Sequence, residues 1–424
     1  MKPGFQEWLE CIACHARYDV LEIRYRCNCG DLLSVQRTPG WAEQLSPSLF
    51  DSRRTSRNEL DQSGVWRFRE GVLQTEPQHV VTHPEGSTRL YQRPALSTWA
   101  DVPALHFKHE GENPTGSFKD RGMTVAATQA RRVGARAVAC ASTGNTSASL
   151  AAYAAQAGMK ALVFVPAGKI SSGKMAQTLG YGAFCLQVRG DFDAAMALVQ
   201  EVCQKLNVYL LNSINPFRVE GQKTIVWEML QDLAWDAPDW IALPAGNLGN
   251  TSAFGKALLE AHQGGWIKKL PRLLAVQATG ANPFFLSYQD GFRSTHRVTP
   301  ETVASAIRIG NPVSHAKAVE AIQKTGGSVT QVSDEELMLA KREIDRAGIG
   351  CEPASACSLA GVRKLRQQGV IERDARVVCV LTGNMLKDPD ATVSAAQMGT
   401  SVTAPEVEPR LSDVENVLAR TLGL

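Results

Sequence analysis

The sequence predicts an α/β protein in which parallel sheets are covered by helices, with a small cysteine-rich ribbon at its start. Three observations carry that prediction. From about Leu105 onward, apolar strand-sized runs alternate with Ala-rich helical windows. The polar, glycine-bearing motifs fall where loops leave the carboxyl ends of those runs, the place where open parallel sheets gather ligands. Four cysteines crowd into residues 11–29. At 424 residues and 44% hydrophobic content the chain exceeds one small core, so two or three packed units are expected.

The ribbon comes first, over residues 1–38. Cys11, Cys14, Cys27 and Cys29 form a C-x2-C pair followed by a C-x-C-G pair. Tetrahedral zinc takes ligands in such close pairs from two turns. The second pair is one residue tighter than usual, so a metal-free cysteine knuckle is the alternative, and His15 could stand in for one cysteine. Either way the role is structural, because four thiolates leave no open coordination position. Cys140, Cys185, Cys203, Cys351, Cys357 and Cys379 sit singly in apolar segments and read as small buried hydrophobes.

Residues 39–84 are polar and weakly periodic and read as a connecting arm. Beyond them the pattern gives strands at Ala104–His109, Ala137–Cys140, Ala161–Val165, Phe184–Val188, Trp240–Leu243, Leu273–Gln277 and Val377–Leu381. Helices are expected over Lys119–Val133, Asn145–Gln156, Phe192–Leu206, Phe217–Leu233, Thr251–Ala261, Asp334–Arg346 and Ala354–Gln368. Residues 401–424 read as a tail.

Lys and Arg total 45 against 42 Asp and Glu, so there is no basic excess to collect a phosphodiester backbone or coat an anionic membrane. Nucleic acid and membrane are therefore not expected partners. The longest apolar runs are strand-sized, far below the ~20 residues a bilayer span needs. Met1–Glu10 lacks the apolar core of a secretory signal, which makes the cytoplasm the expected location.

Four motifs carry chemistry. In His109–Asp120, the sequence N-P-T-G-S forces a turn and Ser117 can cap the helix that follows. Lys119 then falls in the first helical turn, where the positive dipole end disfavours an ammonium and favours the neutral amine an imine-forming lysine needs. Taken alone, a lysine beside Asp120 and Arg121 reads more often as a solvated surface charge, and the other motifs must overturn that. The loop Ala141–Ser149 offers Ser142, Thr143, Asn145 and Thr146 around Gly144 and can hold a carboxylate at a helix start. Pro244–Thr251, with Gly246, Asn247, Leu248, Gly249, Asn250 and Thr251, makes a nest of backbone N–H groups for a phosphate and lacks the lysine of a P-loop. After the last strand, Thr382 in Leu381–Pro389 presents a neutral hydroxyl. An amine, a carboxylate loop, a phosphate cup and a neutral ring-nitrogen partner together match pyridoxal-phosphate (PLP) chemistry.

With Asn212–Thr224 (N-S-I-N-P-F-R-V-E-G-Q-K-T), Ser305–Pro312 (S-A-I-R-I-G-N-P) and E-P-A-S-A added, these blocks resemble the threonine synthase family of the fold type II PLP enzymes, over roughly Glu85 to Asp390. The resemblance implies a two-lobed catalytic region over 85–400, with a small mobile lobe at about 121–211, and a homodimer. It implies Lys119 as the cofactor lysine, Asn145 on the phenolic oxygen, Gly246 to Thr251 around the phosphate and Thr382 on the ring nitrogen. Ser142, Thr143 and Thr146 would take the substrate carboxylate; Asn212, Ser213 and Arg218, with Lys174, would take the phosphate of O-phosphohomoserine.

Arg218 discriminates among the readings, because a forked cation suits a phosphate dianion and a dehydratase would not need it. The alternatives are another replacement enzyme such as a cysteate-synthase-like protein, a threonine dehydratase, or a catalytically silent PLP-binding regulator. Read by position alone, Arg218 is equally a helix-surface arginine paired with Glu220. Two departures from the family stand out: Asn384 replaces its usual His, and Glu85–Leu90 reads E-G-S-T-R-L instead of E-G-N-T-P-L.

Overall fold

A computed structural model describes residues 5–168, 172–190, 192–398 and 405–423. Among the described residues, thirteen strands form three sheets. The ribbon holds β1 (Glu7–Cys11), β2 (Arg17–Asp19) and β3 (Leu33–Arg37), antiparallel in the order β2-β1-β3. The main chain then supplies β4 (Leu90–Tyr91), β5 (Leu105–His109), β6 (Ala137–Ala141), β7 (Lys160–Pro166), β8 (Phe184–Val188) and β9 (Tyr209–Leu210). It closes with β10 (Trp240–Pro244), β11 (Arg272–Ala278), β12 (Ser328–Val332) and β13 (Val377–Leu381).

The larger sheet runs β12-β11-β10-β13-β5-β4, parallel except for the edge strand β4. The smaller runs β8-β7-β6-β9, all parallel. Every residue of β10 (WIALP) and β13 (VVCVL) is buried, as continuous apolar runs require when helices cover both faces. The smaller sheet falls within the stretch read as the small lobe. Each of the seven strands read from the sequence forms, with ends shifted by at most one residue. The short β12, S-V-T-Q-V, carries too little apolar run to be seen.

Two expectations are corrected. The helix expected over Phe217–Leu233 is two helices, Pro216–Gln222 and Thr224–Asp232, parted at Lys223. The first packs hard against helix Lys119–Arg132: a Cβ on Gly221 would lie 1.8 Å from the Arg121 carbonyl oxygen, so only glycine permits this approach. The arm over 39–84 is no tether. Its Phe50, Trp66 and Phe68 are fully buried, with Phe50 at 5.1 Å from Trp266 and Phe68 at 5.7 Å from Trp227 between ring centroids. The aromatic residues are far apart in sequence, so no local period announces them.

The ribbon also packs on the body. Buried Arg37 pairs with Glu7 at 2.9 Å and with Glu220 at 2.8 Å. The Leu33 carbonyl accepts from Lys317 Nζ at 2.6 Å, and the Val35 carbonyl accepts from Lys256 Nζ. On the small-lobe side, Tyr25 Oη accepts from Leu210 N at 2.7 Å, and Gln129 Nε2 donates to the Val20 carbonyl at 2.8 Å.

Candidate active site

The loop that delivers Lys119 is laced to the loop after β13, because β5 and β13 are neighbours in the sheet. Phe118 N donates to the Thr382 carbonyl at 3.0 Å and Asn384 N to the Gly116 carbonyl at 2.9 Å. Gly116 turns that loop at φ +82, a conformation that strains other residues. Lys119 opens the helix; Ser117 Oγ accepts from its N–H at 3.4 Å, although the cap position itself is Phe118.

The surface-charge reading of this segment fails. Asp120 and Arg121 are fully buried: Asp120 accepts from Thr115 and Ser149, and Arg121 pairs with Glu110 at 2.6 Å and Glu228 at 2.7 Å. Lys119 keeps part of its surface open, but its amine is enclosed. Burial first, and the nearby Arg218 guanidinium second, push its pKa down to about 7, against the opposing pull of Glu352. These causes replace the helix dipole inferred from the sequence. Covalent uptake of added PLP by the apo protein is therefore expected to quicken as pH rises through about 7 and to level off above it, since only the neutral amine attacks. Stopped-flow absorbance across that range measures it; a rate still climbing steeply near the ordinary lysine pKa would contradict the enclosed amine.

At the end of β6, Ser142, Thr143, Gly144, Asn145 and Thr146 form a half-buried loop leading into helix Asn145–Ala157. Asn212 anchors it from behind: its Oδ1 accepts from Ala141 N at 3.0 Å and its Nδ2 donates to the Ala141 carbonyl at 3.1 Å. Asn212 is thus engaged with the backbone of the loop, while Ser213 beside it is half-buried. At the end of β10, Leu248 takes a left-handed conformation (φ +63) and opens helix Gly249–Gln263. Asn247 ties the cup to the segment before helix His315–Lys324, its Oδ1 accepting from Val313 N at 2.7 Å.

Arg218 is 1% exposed, on helix Pro216–Gln222. Its Nη1 donates to the Leu211 carbonyl at 3.1 Å, and its Nε has no partner among the described residues. The pairing with Glu220 does not form, because Glu220 is taken by Arg37, Lys223 and Lys256. Burial lowers the Arg218 pKa to about 10. A buried guanidinium with no carboxylate partner among the described residues is a ready anion receptor. The side chain of Lys174 lies outside the described residues.

One residue of the site was missed. Glu352, from the E-P-A-S-A block, is buried and accepts from Asn145 Nδ2 at 2.9 Å and Thr382 Oγ1 at 3.2 Å. It links the residues read as contacts for the phenolic oxygen and the ring nitrogen, and burial raises its pKa. An acidic residue directly before a helix-opening proline was the available signal. Ser355 fixes Thr382 in turn, accepting from Thr382 N at 2.8 Å and Gly383 N at 3.0 Å.

The residues fit PLP. Thr251 Oγ1 and Asn250 Oδ1 are buried without partners among the described residues at a helix N-terminus, as a phosphate site would have them. The departures from E-G-N-T-P-L fall at exposed Ser87 and Arg89, whereas Glu85 and Thr88 are buried. Asn384 caps the turn Met385–Lys387 through Leu386 N at 3.0 Å.

The ribbon fits a tetrahedral zinc ion. The Cys11, Cys14, Cys27 and Cys29 sulfurs all lie within 4.8 Å of one another, compatible with Zn–S bonds of about 2.3 Å. Stripping metal with a chelator is expected to lower the melting temperature by about 5 °C, reversed by added zinc, because the ribbon docks on the main core. Scanning calorimetry with metal analysis measures it; an unchanged transition in protein free of zinc would favour the metal-free knuckle.

The profile of the family described as pyridoxal-phosphate dependent enzyme matches residues 81–383. The chain is 45% identical to threonine synthase of Methanocaldococcus jannaschii over 389 residues, 91% of this chain and 94% of that protein. It is 49% identical to threonine synthase of Mycobacterium tuberculosis over 315 residues, 74% of this chain and 85% of that one. Among solved structures, threonine synthase from Escherichia coli superposes with a TM-score of 0.71 at 18% identity, covering 95% of this chain and 93% of its own. The threonine deaminase isoform 2 of Solanum lycopersicum gives 0.64 at 19% identity, covering 74% and 88%. These last two likenesses speak to the fold alone.

Proposed function

This chain belongs to the threonine synthase family of pyridoxal-phosphate-dependent enzymes, and on that premise we propose that it converts O-phosphohomoserine and water to threonine and phosphate with the residues described above. The observation that carries the substrate is Arg218, a buried guanidinium without a carboxylate partner among the described residues, close enough to Lys119 to depress its pKa. A substrate bearing a phosphate satisfies it; serine or threonine does not.

Bound PLP supplies an electron sink for the pair left when the substrate Cα proton departs. Lys119, neutral near pH 7, removes that proton and then one from Cβ, a single base moving between adjacent carbons. Phosphate leaves Cγ with the C–O bonding pair, and Arg218, with Ser213, holds it. Of the two protons removed, one leaves with phosphate and Lys119 returns the other to Cγ; water then adds its hydroxyl at Cβ, and its remaining proton goes back to Cα. Ser142, Thr143 and Thr146 hold the substrate carboxylate; Asn212 keeps their loop in place through Ala141. Thr382, oriented by Ser355 and Glu352, meets the ring nitrogen with a neutral hydroxyl, and Asn145 meets the phenolic oxygen. Gly249 to Thr251 hold the cofactor phosphate.

The reading extends to a homodimer in the cytoplasm. Its support is the family resemblance and the near balance of charge, and no helix among the described residues is long and apolar enough to cross a membrane. The test is an absorption spectrum before and after borohydride, followed by an assay of phosphate and threonine from O-phosphohomoserine. Equal amounts of the two products are expected. Faster conversion of threonine to 2-oxobutanoate would overturn the assignment in favour of a dehydratase.

A further inference from the structure

Among the side-chain links between the large lobe and the small one, two start beside the Thr382 loop, which is laced to the loop that presents Lys119. Glu352 holds Asn145, as described. The other is made by Lys387, whose Nζ donates to Gln177 Oε1 on helix Ser172–Gly180. No step derived above uses it. Lys387 ends the short turn Met385–Lys387, directly after the loop that holds Thr382. Its methylenes lie along the Lys119 loop, with a Cβ on Gly116 reaching within 3.0 Å of its Cε. The side chain is half-buried, and the carboxylates of Asp120 and Glu352 both act on its charge.

Gln177 does not move alone. On the same helix, Thr178 Oγ1 donates to Ser147 Oγ at 3.1 Å, tying it to helix Asn145–Ala157, whose first turn carries Asn145 and Thr146. A pull on Gln177 is therefore a pull on the loop that receives the substrate carboxylate. The partner is a neutral amide rather than an acid, so the bond is charge-assisted but leaves no buried counter-charge stranded when it opens. Such a bond can form and break in each turnover.

We propose that Lys387 is a positioning residue that latches the small lobe through Gln177 and thereby sets how much substrate becomes threonine rather than 2-oxobutanoate. The inference rests on the reaction proposed above. That reaction removes phosphate before water adds at Cβ, and a site that opens between the two steps loses the unsaturated four-carbon unit to hydrolysis. In the leak, O-phosphohomoserine and one water give 2-oxobutanoate, ammonia and phosphate. The Cγ–O pair leaves with phosphate, and the Cα–N bond is replaced by a C=O whose oxygen comes from water, so no oxidant or reductant enters.

The test uses K387M, K387R and Q177L in the full-length, PLP-loaded protein. Phosphate, threonine and 2-oxobutanoate are measured together. Backbone amide exchange is followed without substrate over helix Ser172–Gly180, with helix Gly249–Gln263 as reference. K387M and Q177L are each expected to cut threonine per phosphate by about threefold or more, with 2-oxobutanoate making up the difference. Exchange in Ser172–Gly180 should quicken by a similar factor while the reference helix is unchanged, and K387R should restore both readouts in large part. Unaltered threonine per phosphate with unaltered exchange, or loss of activity with the product ratio of the parent, would overturn the latch. If the parent releases no phosphate, the substrate assignment fails, while the exchange comparison still decides whether Lys387 holds the lobe.

Discussion

Lys119→Ala is expected to reduce threonine formation by about 10⁴-fold or more, because one amine both attaches the cofactor and moves every proton in the reaction. The protein should still take up PLP without a covalent bond, since the cup at Gly249 to Thr251 and the Thr382 hydroxyl are untouched. Folding should also survive: Lys119 carries no hydrogen bond through its side chain that holds the helix, whereas its neighbours Asp120 and Arg121 are locked into buried networks. Steady-state assay, spectrum and reduction by borohydride decide the matter together. A variant that keeps more than about a tenth of the parental rate would show that another group is the base.

Arg218→Met should cost kcat/KM for O-phosphohomoserine about 10²- to 10⁴-fold, the range for removing one side of a buried charge-assisted pair. Burial makes the figure large, because the guanidinium is 1% exposed and has no carboxylate partner among the described residues. Two secondary effects separate a substrate role from a structural one. Lys119 should titrate at higher pH once the neighbouring cation is gone, because Arg218 lowers its pKa in the parent. Inhibition by inorganic phosphate should weaken in parallel with substrate binding. A variant with parental KM and parental phosphate inhibition would place the substrate phosphate elsewhere.

The sheets were legible because their strands are buried on both faces and therefore apolar without interruption, as in V-V-C-V-L and W-I-A-L-P. Lys119, Arg218 and the Gly/Asn cup could be singled out as motifs, because each belongs to a short contiguous block at the turn or helix start that follows a strand. Features resting on pairings distant in sequence could not. Glu352 meets Asn145 across 207 residues, Lys387 meets Gln177 across 210, and the aromatic residues of 39–84 find Trp227 and Trp266 only in space. The fate of Arg218 shows the same limit. Nothing local says that Glu220 prefers Arg37, so its freedom from the nearest acid could not be read from the helix alone. The bond from Val313 N to Asn247 Oδ1 is likewise a distant pairing that the motif alone does not announce.

The docking of the ribbon has a consequence for biosynthesis of the chain. Residues 5–37 are translated well before the groups that receive them, Leu210, Glu220, Lys256 and Lys317. The cysteine knuckle must therefore wait, folded or metal-loaded, until most of the polypeptide has emerged. Trimming it away would strand two ammonium groups without their carbonyl acceptors and leave Glu220 facing an altered set of cations. The first forty or so residues thus behave as a late keystone rather than a removable appendage.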